Sequence, residues 1–354
     1  MSNASFGELR SLLGEPERGD AWAERLIELS SQAHAEDPNV WADQWGPYIE
    51  DASGALPVPL LEVGSVEAFG RAAAAVPGGR FALHHAQAGA DDAFVFELVA
   101  SPHLGSLHSL DLDWNRVTSK GARALARASG LSNLTALRLG QCQIGDAGVV
   151  ALAQAPHLSS LSTLGLSGVG MGDEGARALA ASPHLTSLRE LNLEGNGYWP
   201  EGLAALVGSV NMAHVEALDL GSNLVGDAGL KALAGSAHLG NLERLKLEFD
   251  DIGDEGVTAL ASDAVAFRLT RLELPRNAIT DAGVEALASA EHMSSLTHLD
   301  LRTNDLGDPG ALALAGSEHM SSLRELLLDG NWVGDEGVGA LHASPHTRDA
   351  FVST

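Results

Sequence analysis

The chain has 354 residues, 21 basic and 47 acidic, and a formal charge of −26, with no cluster of Lys and Arg. That excludes binding driven by counterion release from a nucleic acid, and it disfavours anionic membrane surfaces. One cysteine, Cys142, forbids an intrachain disulfide. With no secretory pattern at the N-terminus and no apolar run long enough to span a bilayer, the expectation is a cytoplasmic protein.

Residues 1–79 show no period. Leu9, Leu12 and Leu13, then Trp22, Leu26, Ile27 and Leu29, are spaced for two amphipathic helices, and Trp41, Trp45 and Tyr48 follow in a short run. This region reads as a helical cap, its aromatic residues forming a small core rather than a ligand pocket. Residues 80–106, from Arg80-Phe81-Ala82-Leu83 to Ser101-Pro102-His103-Leu104, fit a degenerate first repeat.

From residue 107 to residue 349 a 27-residue unit recurs nine times without insertion, starting at Leu107, Leu134, Leu161, Leu188, Val215, Leu242, Leu269, Leu296 and Leu323. A strict period of this length predicts a solenoid, because one unit has too little core to fold alone. Leucines at positions four and six share one face of a short strand, and position five between them faces solvent. Identical strands one period apart run parallel, so the second half of each unit must return as a crossover.

The second half reads as a helix. Position thirteen is Asp in seven units, among them Asp146, Asp227 and Asp335, and it suits a helix start. Pro309 after Asp308 fits the first helical position. Ala-Leu recurs at positions eighteen and nineteen, and Pro102, Pro156, Pro183 and Pro345 end the helices. At position nine Asn115, Asn196, Asn223, Asn277, Asn304 and Asn331 suit a ladder of amide bonds, interrupted by Cys142, Val169 and Asp250. In unit four Tyr198-Trp199-Pro200 replaces the usual aliphatic-Gly-Asp. Tyr198 is expected in the aliphatic core slot and Trp199 facing outward.

On these residues, over about 80 to 349, the chain resembles the leucine-rich repeat family in its ribonuclease-inhibitor-like subtype, and bacterial members with S-P-H-L junctions and a helical preamble. The resemblance implies an α/β fold: a right-handed horseshoe solenoid with a parallel concave sheet, convex helices and a helical N-terminal cap. It also implies a surface for gripping other proteins. The units hold one length and lack the abundant cysteines of the mammalian inhibitor, so nuclease inhibition is not carried over.

No phosphate loop, H-E-x-x-H pair or G-x-S-x-G elbow is present, and the glycines follow the repeat. Cys142 sits at the ladder position, which marks it as structural. Position twenty-four is His in six units: His157, His184, His238, His292, His319 and His346. Zinc needs ligand nitrogens about 2 Å from one ion, whereas packed helices lie roughly 8–10 Å apart, so this column reads as helix C-terminal capping. The reading is non-enzymatic, with no cofactor and no metal.

Variation at positions two, three, five, seven and eight, against uniform Ala, Leu and Gly elsewhere, marks the binding face. The expected site is Asp111, Asp113, Trp114, Asp219, Lys246, Glu248, Phe249, Glu273, Arg276, Asp300, Arg302 and Trp332. The expected function is a protein-interaction scaffold gripping a folded protein or peptide, as a monomer. The charge leans mildly toward a basic partner, although solubility of an edge-rich fold explains it equally. The alternatives are an enzyme regulator (an inhibitor covering an active site, or a GTPase activator) and a structural spacer. Ten strands at about 4.8 Å predict an inner arc of roughly 48 Å. The short tail, residues 350–354, is expected to cap the last unit by folding Phe351 and Val352 over Leu326, Leu328 and Leu341. Cover by another subunit is the alternative.

Overall fold

The structure, a computed structural model, describes residues 60–75, 79–197, 199–262, 267 and 269–354. The expected helices before residue 60, the aromatic run at Trp41–Tyr48 and Tyr198 lie outside the described residues. What is described forms one open α/β solenoid. Twelve parallel strands, hydrogen-bonded in chain order, make a single sheet, and a helix follows on the crossover of each repeat unit.

The repeat register is kept strand by strand. Strand β3 (Leu107–Asp111) pairs with β4 (Ala136–Arg138) so that Leu110 faces Leu137 and Asp111 faces Arg138. Leucines at positions one, four and six are sealed in the core; Leu134, Leu137 and Leu139 are all fully buried. The sheet is longer than ten strands, by one at each end. Upstream, β2 (Arg80–His84) is the strand of the degenerate repeat, aligned Leu83 to Leu110. Before it, Leu60–Val63 adds β1, followed by the helix Val66–Ala75. This strand lies inside the stretch read as helical, where a spacing of 20 residues from Leu60 to its partner Arg80 hides it from a 27-residue search.

Downstream, the tail closes the sheet by a different device from the one expected. Phe351–Ser353 forms β12 beside β11 (Glu325–Leu327), pairing Leu326 with Val352. Phe351 is therefore 64% exposed and only Val352 turns toward the core. The correction has a simple cause. Arg324 offers its carbonyl to the Phe351 amide and Leu328 its amide to the Ser353 carbonyl, and pairing satisfies both where folding over would not.

Each position-thirteen aspartate before the last unit bonds the start of the next unit's helix rather than its own. Asp227 Oδ1 accepts the amides of Gly253 and Gly256 at 2.8 and 2.9 Å, at the start of helix Asp254–Leu260. Asp146, Asp254, Asp281 and Asp308 repeat the arrangement one unit apart. This also explains glycine at position fifteen: a Cβ on Gly256 would lie 2.6 Å from Asp227 Oδ1. Asp227→Ala is expected to lower the unfolding free energy by about 1–2 kcal/mol in urea titrations followed by circular dichroism. Asp335→Ala, whose carboxylate caps no following helix in this structure, is the control and is expected within about 0.5 kcal/mol of the parent.

Two members of the histidine column, His157 and His292, bond backwards by one unit. His157 Nε2 meets the Leu125 carbonyl at 3.1 Å and His292 Nε2 the Leu260 carbonyl at 3.0 Å, each the last residue of the preceding unit's helix. Asn211 takes that role in unit four, its amide donating to the Leu179 carbonyl.

Candidate functional site

The exposed face of the sheet is built by positions three and five of each strand, extended by position seven where the chain leaves it. Small residues at Gly165, Ser167 and Ala217 leave a hollow of about 360 Å³ over units one to seven. Of the sequence-predicted residues, Asp113, Asp219, Lys246 and Glu273 line it. Arg138, Thr163, Glu190, Asn192, Arg244 and Arg271 line it too, and these were not in the predicted set. Thr163, Glu190, Arg244 and Arg271 stand at position three, which shares a strand face with position five, so the two-residue alternation was the signal for them.

Charged groups on this face are organised into pairs that run along and across strands. Lys246 lies 3.6 Å from Asp219 and 4.0 Å from Glu248, and Glu248 lies 3.2 Å from Arg276. Arg244 reaches across one strand to Glu190 at 2.8 Å, and Arg271 Nε contacts Glu273 at 2.5 Å. Burial pushes the Asp219 carboxyl above its usual range, and Lys246 only partly offsets this. Burial works against the charge on Lys246, yet the surrounding carboxylates of Asp219, Glu194, Glu273 and Glu248 hold its ammonium above the ordinary lysine range. The result is a mixed-charge patch over units five to seven that collects Asp219, Lys246, Glu248, Glu273 and Arg276.

The other predicted residues sit in two separate groups. At the N-terminal end Asp111 Oδ1 accepts the Asp113 amide at 3.0 Å and Asp113 Oδ1 accepts the Gly140 amide at 2.5 Å. Burial, helped by the charge of Asp111, raises the Asp113 carboxyl. At the C-terminal end Arg302 clamps Asp300 with bonds of 2.6 to 3.0 Å. That clamp leaves Asp300 only 4% exposed, so of this pair the guanidinium is what a ligand would meet.

Three aromatic residues stand on the rim where the strands end. Trp114, Phe249 and Trp332 are 60%, 61% and 77% exposed, joined by Leu224 at 51%, which is not among the sequence-predicted residues. Trp114 and Phe249 share position eight, and that position has a left-handed backbone in every unit, with φ of 60° and 58° at these two residues. Units three, four and nine place Gly168, Gly195 and Gly330 there.

Trp199, by contrast, does not face outward. It is 2% exposed, and its Nε1 donates to Asn223 Oδ1 at 3.1 Å. The helix begins at Pro200, and Trp199, directly ahead of it, joins the core. The same Oδ1 accepts the Asn196 amide at 2.7 Å, so the ring shares an acceptor with the ladder. Among the described residues no group of His, Cys, Asp or Glu is placed to hold a metal, and no helix is long and apolar enough to cross a membrane.

A family model described as a leucine-rich repeat matches residues 103–126, 130–153, 157–180, 211–234, 238–261, 268–288, 292–315 and 319–341. It passes over unit four, the one with Trp199-Pro200. No curated protein matches the chain. Among solved structures the chain is similar to an internalin from Listeria monocytogenes, at 19% identity and a TM-score of 0.42, covering 76% of this chain and 85% of that one.

Proposed function

The chain belongs to the leucine-rich repeat family, and from that premise we propose that it is a non-enzymatic scaffold that grips a folded protein or peptide on the exposed face of its sheet. The observation that carries this reading is the backbone at position eight. A non-glycine residue in the left-handed region costs roughly 1–2 kcal/mol, and glycine removes most of that cost. Trp114 and Phe249 accept the strain and gain little burial in return. Their rings are therefore not explained by the stability of the solenoid, and exposed aromatics beside charged groups are the usual anchors of a protein interface. The two rings are five units apart, about 24 Å along the sheet, which suits a partner of domain size.

The remaining residues of the site are assigned by position: Asp111 and Asp113 beside Trp114, the mixed-charge patch beside Phe249, and Arg302 with Asp300 near Trp332. A helix on the crossover of each repeat unit supports the ribonuclease-inhibitor-like subtype. The net charge of −26 favours one second reading, inhibition of a basic enzyme. A cytoplasmic setting rests on the single, buried Cys142.

Affinity purification with the full chain identifies the partner, and a basic enzyme whose activity falls on binding supports the second reading. Against the recovered partner, Trp114→Gly and Phe249→Gly are each expected to weaken binding by about 2 kcal/mol or more, roughly thirtyfold in Kd. The same variants are expected to unfold at an equal or higher denaturant concentration, because glycine relieves the backbone. Unchanged affinity together with lost stability would show instead that the rings pack.

A further inference from the structure

Of the three position-nine residues that are not Asn, Asp250 alone brings a second polar atom that is left without a partner among the described residues. In Asn115, Asn196, Asn223, Asn277, Asn304 and Asn331 the side-chain oxygen accepts backbone amides. The Nδ2 of each donates to two carbonyls, thirty and three residues earlier. Asp250 stands in the same place. Its Oδ1 does the acceptor's work, taking the Asn223 and Val225 amides at 2.8 and 3.3 Å. Its Oδ2 replaces the donor, is fully buried, and has no partner among the described residues. By the ladder's own rule the groups it should serve are the carbonyls of Leu220 and Leu247, one period on from those that Asn223 serves. An ionised carboxylate would set a negative oxygen against carbonyl oxygens, away from water.

We propose that Asp250 binds a proton in the folded protein and donates it in a hydrogen bond to the carbonyl of Leu220 or Leu247, making the joint between units five and six a pH-sensitive element of the stack. The charge that bears on it from the preceding strand, Ala217–Asp219, is Asp219, itself 3.6 Å from Lys246. Asn223 on one side and Asn277 on the other are neutral, and Asp251, next in the chain, is exposed. Burial raises the Asp250 carboxyl to about 7, against the pull of the Asn223, Val225 and Leu224 amides and with a further push from Asp219. The turn that ionisation strains carries the exposed side chains of Leu224 and Phe249, both on left-handed backbone.

The sign follows from linkage. The folded state holds the proton more tightly than the unfolded chain, whose carboxyl has the ordinary value of 3.8, so this group's stabilisation is full below that value. It is lost as pH rises toward about 7 and stays lost above it. Asp250→Asn restores the ladder amide and removes the proton. Urea unfolding of the full chain and of this variant, from about pH 5 to about pH 8, is expected to show their folding constants diverging close to tenfold per pH unit up to neutrality, then levelling. A ratio independent of pH would overturn the proposal. A carbon-13 carboxyl titration of the native protein reads the same proton directly, whether or not the variant folds. A midpoint near neutrality is expected, and a carboxyl already ionised at about pH 5 would overturn it.

Discussion

Asn223→Leu is expected to lower the unfolding free energy by roughly 3–5 kcal/mol, the largest effect of any single polar substitution in the sheet's turn layer. Asn223 is 2% exposed and joins three units. Its Nδ2 donates to the Leu193 and Leu220 carbonyls at 3.0 and 2.6 Å, and its Oδ1 accepts the Asn196 amide at 2.7 Å and the Trp199 indole at 3.1 Å. Leucine fills a similar volume but leaves two buried donors without an acceptor, at about 1–3 kcal/mol each. The carbonyls lose their partner as well. Asn223→Asp separates the contributions, because a carboxylate keeps the acceptor and loses only the donor; its loss should be smaller at low pH. Both are read by urea unfolding followed by circular dichroism. A loss below about 1 kcal/mol for the leucine variant would mean that the ladder decorates the turn without holding it.

Deleting residues 347–354 is expected to have a comparable effect, confined to the last unit. The deletion removes β12, the Thr347 hydroxyl bond to the Leu341 carbonyl at 2.7 Å, and the Ser353 contact with Asp329. It bares the flank of Leu326 and Leu328, both sealed in the intact chain, with a loss of about 2–4 kcal/mol. Because a solenoid frays from its ends, the loss should appear as faster amide exchange over residues 323–343, with the central units unchanged. Light scattering adds a second readout: the full chain is expected to be a monomer, and the truncated one to associate as its concentration rises. A truncated chain that stays monomeric and exchanges no faster would show that β11 tolerates a bare edge.

How far the sequence carried is clearest at individual positions. Leu137 and Leu139 are buried as their spacing requires, and Asn115 to Asn331 make the ladder that their period suggested. Trp114, Phe249 and Trp332, whose placement their spacing left open, are exposed. Arg244 and Arg271 were as legible as Lys246, since all three follow the two-residue alternation of a strand. Trp199 was not. Whether a ring faces outward depends on which acceptor lies beside it, and that acceptor belongs to Asn223 in the next unit.

Spacing within one unit fixes the 27-residue period, the alternation of strand and helix, and the leucines that must be inside. Tertiary structure alone decided what passes between units. It made Asp227 the cap of its neighbour's helix, sent the His157 ring back to Leu125, turned the tail into a strand, and left Asp250 with a buried oxygen and no donor. The reason is physical. A periodic sequence states the same local preference in every unit, whereas a hydrogen bond between units depends on how far two stacked turns are offset, a distance set only when the sheet closes its register.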